Sequence, residues 1–455
     1  MLLSDSLSLA ATKLVRRLRE SGFIAYFAGG CVRDALLRKP PKDIDIATEA
    51  EPADVQRLFS RTVAVGVKFG VVRVLDAGFE FEVATFRSDG IYLDGRRPES
   101  VTFSSPEEDA KRRDFTINGM FYDPLADQVV DFVGGKSDLE NRLVRAIGNP
   151  DERFAEDHLR LLRAVRFAAA LGFEIEPATW RAAVENAQQI KTVSQERIRD
   201  ELVKIMADAQ RVRGLDLLDQ SGLLQHILPE VSRMHGCEQP PQFHPEGDVY
   251  VHTRLMLGLL PPDASPWLAL SVLLHDIGKP PTYSFDEADQ RIRFNGHDQV
   301  GAGMAIEIMT RLRFSNEEID TVVEAIRNHM VFKDTPNMRP AKLRRFMGRG
   351  NFPLELELHR VDCLGSHGDL ETYDLLVNKQ KAFENEPIIP DPLLSGRDLI
   401  ALGLKPGPRF GEILEAVQTA QLDGEINDRG GALRLLQRLE PSIPDSEIEK
   451  LVTQG

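Results

Sequence analysis

Residues 28–45 constrain this chain more than any other segment, because two glycines are followed at short range by two aspartates. The run Ala-Gly-Gly-Cys-Val-Arg-Asp at 28–34 predicts the end of a strand, a glycine turn and a short helix, and residues 43–45 predict a second strand. Residues two apart in a strand project to the same face, so Asp43 and Asp45 should lie side by side. Two adjacent carboxylates resist joint ionisation unless a cation lies between them. The segment therefore predicts a divalent metal site, with Mg²⁺ as the expected ion.

The glycine turn predicts a ligand for that metal. Gly29 and Gly30 carry no Cβ, so backbone N–H groups at the turn can approach a phosphate closely. A nucleoside triphosphate, bridged to the two aspartates by Mg²⁺, fits this combination. Each half also has an ordinary interpretation, since Gly-Gly after a strand is often only a turn and Asp-x-Asp often marks a solvated strand edge. The glycine turn and the Asp-x-Asp pair together, in this order, are far more specific for a metal–triphosphate site than either feature alone.

Composition limits the class of protein. At 455 residues the chain has room for roughly two to four domains, and its 42% hydrophobic and 28% charged residues are typical of globular proteins. No apolar run is long enough to cross a bilayer, so we expect no membrane segment. The three cysteines have no paired spacing, which favours a reducing cytoplasm and argues against a zinc–thiolate site.

The net charge of −15 is unusual for a protein that binds RNA, because phosphate neutralisation normally dominates such binding. Local charge matters more than the total for steering a ligand. The stretch 339–349 contains five lysines and arginines and no acid, and the first helix is also basic. An RNA contact and a solvated helix face are both open interpretations of these clusters.

Secondary-structure signals divide the chain at about residue 150. Before that point short apolar and alternating runs predict strands, and after it the strands stop and the pattern is helical to the end. The predicted fold class is α+β, with an N-terminal α/β head followed by an all-α body. The predicted strands are 25–28, 43–47, 63–66, 71–75, 79–86, 101–103 and 129–132, and helices are predicted over 1–24 and 53–59.

Two further motifs carry arginines. In the run Lys-Arg-Arg-Asp-Phe-Thr-Ile-Asn-Gly-Met at 111–120, the paired arginines can neutralise triphosphate oxygens, while the aspartate and asparagine could read a ribose hydroxyl. Farther on, Asp157, Arg160, Arg163 and Arg166 fall three residues apart, which predicts one inclined face of a helix. A surface ion-pair cluster is the structural alternative for both motifs.

The glycine turn, the Asp-x-Asp pair and the Arg-Arg-Asp-Phe-Thr-x-Asn motif together resemble the signature of the nucleotidyltransferase superfamily that includes DNA polymerase beta. Their surroundings are most similar to the branch of bacterial tRNA CCA-adding enzymes and poly(A) polymerases. The resemblance implies a polymerase-beta-like head in which Asp43 and Asp45 are catalytic and hold Mg²⁺, with Glu82 as a third metal-facing carboxylate. Residues 87–98 match a loop that family members adding only cytidines tend to lack. The implied nucleotide-binding residues are Gly29, Gly30, Arg33, Arg112, Arg113, Asp114, Asn118, Asp157, Arg160, Arg163 and Arg166.

The same resemblance implies that the helix at 157–166 acts as an amino-acid template for the incoming base. Cytosine and adenine both present an exocyclic amine beside an acceptor ring nitrogen, which an Asp acceptor next to an Arg donor complements. Uracil and guanine present a carbonyl beside a ring N–H. Asp157 with Arg160 would therefore accept CTP and ATP and reject UTP and GTP, since a wrong base leaves polar groups unpaired. Arg163 and Arg166 are then candidates for the triphosphate, and Arg197 for bracing the template.

A second group of metal-ligating residues follows in the helical body. His252, the pair His275-Asp276 and Asp362 form an ordered set of nitrogen and oxygen ligands suited to a divalent metal of unknown identity. This order resembles the HD phosphohydrolase superfamily, and the resemblance adds His297 and His329 as ligands of a second metal. Any one of these histidines could equally be an ordinary core or surface side chain. A domain retained only for its structure is the alternative to an active site.

From these motifs we expect a cytoplasmic tRNA nucleotidyltransferase that adds CCA to tRNA 3′ ends from CTP and ATP, without a nucleic-acid template. Poly(A) polymerase or A-only addition is the nearest alternative. A metal-dependent phosphohydrolase with a nucleotide-binding head is the alternative from another class. The expected domains are a head (1–145), a helical neck and RNA-binding domain (146–235), an HD domain (236–380) and a C-terminal helical tail (381–455). The sequence sets no oligomeric state.

Overall fold

The computed structural model describes residues 5–64, 70–89, 101–241, 244–245, 247–383 and 387–448. The chain forms two compact units. The first contains the chain up to residue 235 together with residues 260–269 and 307–315, and the second contains residues 236–259, 270–306 and the chain from 316 onward. Of the loop expected at 87–98, only residues 87–89 lie within the described part.

The strands are concentrated before residue 131. They are β1 (Ala25–Ala28), β2 (Asp45–Thr48), β3 (Thr62–Val63), β4 (Val71–Asp76), β5 (Phe79–Thr85), β6 (Arg87–Asp89), β7 (Val101–Phe103), β8 (Phe121–Asp123), β9 (Gln128–Val130), β10 (Leu143–Val144), β11 (Glu174–Ile175), β12 (Ser284–Asp286) and β13 (Arg291–Arg293). Seven of them form one sheet in the order β3-β4-β5-β2-β1-β8-β9. The β2–β5 pair is parallel and the other neighbours in this sheet are antiparallel.

Helices make up the rest of the fold. They are α1 (Ser6–Glu20), α2 (Gly30–Leu36), α3 (Pro52–Leu58), α4 (Pro106–Lys111), α5 (Gly135–Glu140), α6 (Pro150–Glu156), α7 (Leu159–Leu171), α8 (Pro177–Glu185), α9 (Gln195–Ala207), α10 (Arg211–Gln220), α11 (Leu224–Ile227), α12 (Pro229–Ser232), α13 (Val249–Leu259), α14 (Pro266–Leu274), α15 (Lys279–Thr282), α16 (His297–Arg311), α17 (Asn316–Asn328), α18 (Pro340–Met347), α19 (Phe352–Gly365), α20 (Glu371–Ala382), α21 (Gly396–Ala401), α22 (Pro408–Leu422) and α23 (Arg429–Leu439). Short 3₁₀ segments occupy Thr116–Asn118, Ala187–Thr192 and His329–Asn337. The expected α+β class, with a mixed-sheet head and a helical body, is confirmed.

Strand β8 was missed by the sequence analysis, although it pairs directly with β1 in the sheet. Its three residues are too few for an alternating pattern, and all three are buried. The expectation that strands end before residue 151 was also wrong. Strand β11 pairs in parallel with β10, and β12 and β13 form a small antiparallel hairpin. Strands of two or three residues produce little periodicity, so a sequence window can find some of them, such as β7, and miss others.

Strand register brings the two halves of the 28–45 segment together. The last residue of β1, Ala28, lies opposite Asp45, the first residue of β2. The chain turns immediately after Ala28 at Gly29, whose φ of +74° is a conformation that favours glycine. The glycine turn and the first strand aspartate are therefore neighbours at one end of the sheet.

Helix α7 carries the second arginine motif, and its ends are defined by local chemistry. The side chain of Asp157 accepts a hydrogen bond from the backbone N–H of Leu159 at 3.1 Å, which caps the start of the helix. The helix ends at Gly172, a left-handed residue with φ of +65°. Between these ends, α7 buries Leu161, Leu162 and Val165 and packs against α9 and α10. This packing fixes the position of its arginines relative to the sheet.

Candidate active site

Three carboxylates meet at the end of the sheet beside the glycine turn. Parallel pairing of Ile46 with Val83 sets Asp45 next to Glu82. The expectation that Asp43 lies in the same strand was wrong, because β2 begins at Asp45, but Asp43 lines the same cavity as Asp45. Asp45 is exposed to the cavity, yet desolvation by the surrounding protein raises its pKa to about 6, and the negative charges of Glu82 and Asp43 act in the same direction. Carboxylates held this close together can bind a divalent cation, and the bound cation would favour the ionised form of all three carboxylates.

A cavity of about 550 Å³ opens in front of these aspartates. Every nucleotide-binding residue expected from the sequence lines this cavity, so the structure brings together segments that lie more than a hundred residues apart. Its lining comprises Gly29, Gly30, Arg33, Asp43, Asp45, Arg112, Arg113, Asp114, Asn118, Asp157, Leu159, Arg160, Arg163, Arg166, Phe167 and Arg197.

The seven arginines of this lining each have a carboxylate partner. Such pairing fixes the direction of a guanidinium group while leaving other N–H groups able to bind a ligand. The pairs are Arg33 with Asp34, Arg112 and Arg113 with Asp109, Arg160 with Glu156, Arg163 with Asp114, Arg166 with Glu201, and Arg197 with Asp157. The cavity is thus a set of oriented cations suited to an anionic ligand.

The expected ribose-reading residues already have protein partners. Asn118 donates to Asp114 Oδ1 at 3.2 Å and accepts from Arg33 Nη1 at 2.7 Å. The other oxygen of Asp114 accepts from Arg163 Nε at 2.7 Å. Although burial opposes it, the charge of Arg163 and the Asn118 hydrogen bond hold the pKa of Asp114 below its ordinary value. The four side chains form a continuous network across the cavity wall, and the second N–H of the Asn118 amide is the donor that these bonds do not use.

The placement of Asp157 differs from the sequence expectation. It does not share a helix face with the three arginines, because α6 ends at Glu156 and the backbone of Asp157 is extended, with φ of −151°. Helix α7 begins two residues later and carries Arg160. Helical spacing alone could not show this break, which occurs where the aspartate side chain caps α7. Asp157 and Arg160 nevertheless line the same cavity.

Three residues that the sequence analysis did not single out support the cavity arginines. Asp109 is 1% exposed and binds Arg112 and Arg113, and Glu201 is 2% exposed and binds Arg166. The ring of Phe167 lies under three guanidinium groups, those of Arg33, Arg163 and Arg166, at 5.1, 5.2 and 4.1 Å. The spacing of Asp109 from the arginine pair, three and four residues within one helical turn, was a detectable signal.

The predicted HD ligands form a separate cluster in the second unit. His252, His275 and Asp276 bring one ligand atom each within 4.8 Å of one another, and Asp276 shares a second such group with His297 and His329. Asp362, expected in the same set, contacts His252 at 3.1 Å between Oδ1 and Nε2. All six residues predicted from the sequence are therefore collected around Asp276, whose side chain is 1% exposed.

Hydrogen bonding prepares three of these histidines as ligands. Nδ1 of His275, His297 and His329 contacts the backbone carbonyl three residues earlier at 2.8, 2.8 and 2.6 Å, so each Nδ1 must carry the proton. In the neutral form of such an imidazole the lone pair is on Nε2, which is the form that binds metals. Nε2 of His297 lies 3.1 Å from Nε2 of His329. Two lone pairs at this distance repel unless a proton or metal cation lies with them.

Family models match much of the chain that carries these residues. A family model described as "Poly A polymerase head domain" matches residues 25–145, one described as "Probable RNA and SrmB- binding site of polymerase A" matches 172–234, and an HD domain model matches 249–362. The curated CCA-adding enzyme of Limosilactobacillus reuteri is 33% identical over 445 residues, covering 94% of this chain and 96% of that protein. That of Limosilactobacillus fermentum is 46% identical over 217 residues, covering 48% of this chain and 54% of the relative.

Solved structures give the same answer. The crystal structure of the Bacillus stearothermophilus CCA-adding enzyme in complex with CTP matches with a TM-score of 0.72 and 27% identity over 96% of this chain and 99% of that one. The Thermotoga maritima CCA-adding enzyme complexed with tRNA shares the fold, with a TM-score of 0.58 at 20% identity over 94% of both chains. Among the described residues, no helix is both long and apolar enough to cross a membrane. The match along nearly the whole length of the L. reuteri enzyme shows that this chain belongs to the CCA-adding enzyme family of nucleotidyltransferases.

Proposed function

We propose that this protein adds C, C and A in turn to the 3′ end of tRNA, using CTP and ATP and no nucleic-acid template. One observation carries the proposal: a single cavity joins the carboxylate group of Asp43 and Asp45 to the Asp157–Arg160 pair through a wall of oriented arginines. A polymerisation site needs these three parts, one for the reacting phosphate, one for the rest of the triphosphate and one for the base.

The carboxylates suit the reaction at the α-phosphate. Asp43, Asp45 and Glu82 would hold Mg²⁺, which when bound polarises the phosphate and lowers the pKa of the attacking 3′-hydroxyl. The chain's own residues position the triphosphate, because Arg113 approaches the glycine turn closely. The Arg113 Nη1 atom would be 2.9 Å from a Cβ built on Gly29. The turn therefore needs glycine to let this arginine and the phosphates lie close together.

Base selection rests on the pair at the other end of the cavity. The guanidinium of Arg160 is fixed by Glu156 and by the backbone carbonyls of Arg153 and Arg112, at 2.8 and 3.2 Å. Asp157 is fixed by Arg197. A donor and an acceptor held in this way complement the Watson–Crick edges of cytosine and adenine and mismatch those of uracil and guanine, so discrimination follows from unpaired polar groups.

A second activity, hydrolysis of a phosphate ester at the HD cluster, is favoured by the His297–His329 geometry. A cavity of about 630 Å³ lies over this cluster, and its wall includes the cationic side chains of Lys279, Arg293 and Lys333. A metal at Asp276 with cations nearby is an arrangement suited to a phosphate group. The metal itself is unspecified, because imidazole and carboxylate ligands suit several divalent ions.

We also propose the domain boundaries given by the sequence, with a head at 1–145, a neck and RNA-binding domain at 146–235, an HD domain at 236–380 and a tail at 381–455. The three family matches fall within the first three of these ranges.

In the basic run at 339–349, Arg345 donates to Thr419 at 2.8 Å and Arg349 pairs with Glu355, so part of the positive charge of the run is engaged within the protein. We propose that exposed residues of this run, such as Lys342, contact the tRNA. We place the activity in the cytoplasm.

Product length on defined RNAs tests the main proposal. The protein is incubated with tRNA lacking CCA, tRNA ending in CC, and unstructured RNA, each with CTP, ATP or both. We expect three additions to the first substrate, one to the second, and then a stop, with Asp45→Asn as the inactive control. Unlimited adenosine addition to unstructured RNA would instead identify a poly(A) polymerase, and addition of A alone would identify an A-adding enzyme.

A further inference from the structure

The carboxylate of Asp109 is shared by two arginines of the nucleotide cavity, although Asp109 itself does not line the cavity. Its Oδ1 accepts from Arg112 Nε at 2.8 Å and Nη2 at 2.7 Å, and its Oδ2 accepts from Arg113 Nε at 3.2 Å and Nη2 at 3.0 Å. Each arginine thus uses its Nε and one terminal nitrogen in a two-point grip, which fixes both the position and the plane of the guanidinium.

Two further contacts fix the orientation of Asp109. Its Oδ1 accepts a hydrogen bond from the backbone N–H of Arg87 at 3.3 Å, which ties the carboxylate to the first residue of β6. The side chain is 2% exposed, so its position is set by packing as well as by hydrogen bonds. Although burial opposes it, the charges of Arg113 and Arg112 hold the pKa of Asp109 below its ordinary value, and the group stays ionised at neutral pH.

The two arginines need such an anchor because of where they lie. The Arg113 guanidinium stacks over the Phe121 ring at 5.1 Å and approaches the glycine turn, where its Nη1 contacts the Asn118 carbonyl at 3.5 Å. Each guanidinium has five N–H donors, more than its contact with the carboxylate uses, and both arginines line the cavity. Two guanidinium groups without a shared anion between them would repel each other and separate.

We infer that Asp109 is a positioning residue for nucleotide binding: it aims Arg112 and Arg113 at the phosphates of the incoming nucleotide. The inference rests on the proposed function, since it assumes that a nucleoside triphosphate occupies this cavity. It predicts a defect in phosphate binding that is the same for every base. Base choice belongs to Asp157 and Arg160 at the other end of the cavity and should not change.

The test is steady-state kinetics of the full-length Asp109→Asn variant on tRNA lacking CCA and on tRNA ending in CC. The asparagine keeps the shape and one acceptor oxygen but removes the charge. We expect KM for both CTP and ATP to rise about tenfold or more, because a charge-assisted contact is lost, with a smaller change in kcat. Inhibition by pyrophosphate should weaken by a similar factor, while the preference for CTP and ATP over UTP and GTP stays as in the wild type.

Glu107→Gln is the matched control. Glu107 lies on the same helix, pairs with Lys111 at 2.7 Å and is 53% exposed, so its loss should leave both KM values unchanged. In a protein that already carries Arg112→Gln and Arg113→Gln, adding Asp109→Asn should change KM by less than about twofold, since the residues through which it acts are gone.

A merely structural role would give a different pattern. Asp109→Asn would then lower the yield or the melting temperature and reduce kcat in proportion, with KM unchanged, and that result overturns the inference. If the asparagine variant does not fold, Asp109→Glu keeps the charge and displaces it by one methylene, and the same rise in KM is expected. Failure of the wild-type protein to incorporate CTP or ATP would refute the proposed function instead, so the two failures are distinguishable.

Discussion

The Arg197 side chain grips both carboxylate oxygens of Asp157, with Nη1 to Oδ1 at 3.1 Å and Nη2 to Oδ2 at 2.7 Å. Arg197 lies on α9, a helix separate from the one that carries Arg160. A two-point contact restricts the rotation of the carboxylate, and restricted rotation is what a hydrogen-bond template needs. On the proposed function, base selectivity should therefore depend on Arg197, a residue that need not touch the base.

Replacing Arg197 by lysine tests this dependence. Lysine keeps the positive charge but offers one ammonium in place of a planar fork, so Asp157 gains freedom to rotate. We expect misincorporation of UTP and GTP relative to CTP and ATP to rise about tenfold, with a smaller loss in the rate of correct addition. Competition assays with all four nucleotides measure the ratio. Glu196→Gln, a neighbour on the same helix that does not line the cavity, should leave it unchanged.

The glycine turn predicts a defect of another kind. An alanine at Gly29 must adopt φ of +74° and would place its Cβ 2.9 Å from Arg113 Nη1. With ψ of −130°, this positive φ is a conformation nearly confined to glycine, so alanine there costs on the order of 1–3 kcal/mol, and the arginine must move away from the turn. We expect Gly29→Ala to raise KM for both nucleotides and to lower the unfolding free energy by about that amount.

Gly78→Ala separates the two effects in this prediction. Gly78 has a similar φ of +83°, but no heavy atom lies within 4 Å of the position that an added Cβ would take. It should therefore lose some stability in thermal unfolding through its own positive φ while keeping wild-type KM. Equal KM values for the two variants would mean that strain alone, and not the displacement of Arg113, explains the result.

The sequence was sufficient to predict which residues come together around the cavity, but not the partners that hold them. Gly29, Asp43, Asp45 and the arginines belong to short motifs in which spacing and residue type are diagnostic. Glu201 lies on α9, 35 residues after the Arg166 that it binds at 2.5 Å, and no local pattern joins the two. Such pairings depend on how helices pack, which periodicity does not encode.

The break between α6 and α7 illustrates the same limit at short range. A three-residue repeat from Asp157 to Arg166 is compatible with one helix, and the repeat by itself predicts one. The aspartate instead accepts a hydrogen bond from the Leu159 backbone and begins a new helix, because short acidic side chains compete for the backbone at such positions. This hydrogen bond interrupts the single helix that the repeat predicts. The Asp157 carboxylate also lies next to Arg197.

The raised pKa of Asp45 gives a prediction about metal and pH. Its folded-state pKa of about 6 exceeds the ordinary value of 3.8, so the metal-free fold takes up a proton more readily than the unfolded chain between these values. The stability of the metal-free protein should then fall as pH rises from about 4 to 6 and remain constant above that. Asp45→Asn should stabilise the metal-free protein at pH 7 by about 1 kcal/mol after allowance for solvent screening, and not at pH 4.

Mg²⁺ provides the check on this explanation. The ion should raise the melting temperature of the wild type at pH 7 and have little effect on Asp45→Asn. The variant lacks the Asp45 carboxylate, which both repels the neighbouring carboxylates and binds the ion. It should also shift the acid limb of the activity profile to lower pH, since metal and proton compete for the same carboxylates. A stability difference between the two proteins that is equal at pH 4 and pH 7 would contradict the assignment.

The HD cluster makes the last prediction, which concerns metal content. Burial lowers the pKa of His329 to about 4, and its neighbour His275 acts in the same direction, so the His329 imidazole is neutral and able to bind metal at neutral pH. We expect a divalent transition metal to remain bound in the purified protein and His275→Ala or Asp276→Ala to remove most of it, as measured by elemental analysis. His235→Ala, a histidine with 43% of its side chain exposed, is the control. Since the cluster and the nucleotide cavity have no residue in common, CCA addition by the metal-depleted variants should persist, and hydrolysis of a phosphate ester should be lost. Equal metal content in all of these variants would show that the six residues are held together by packing alone.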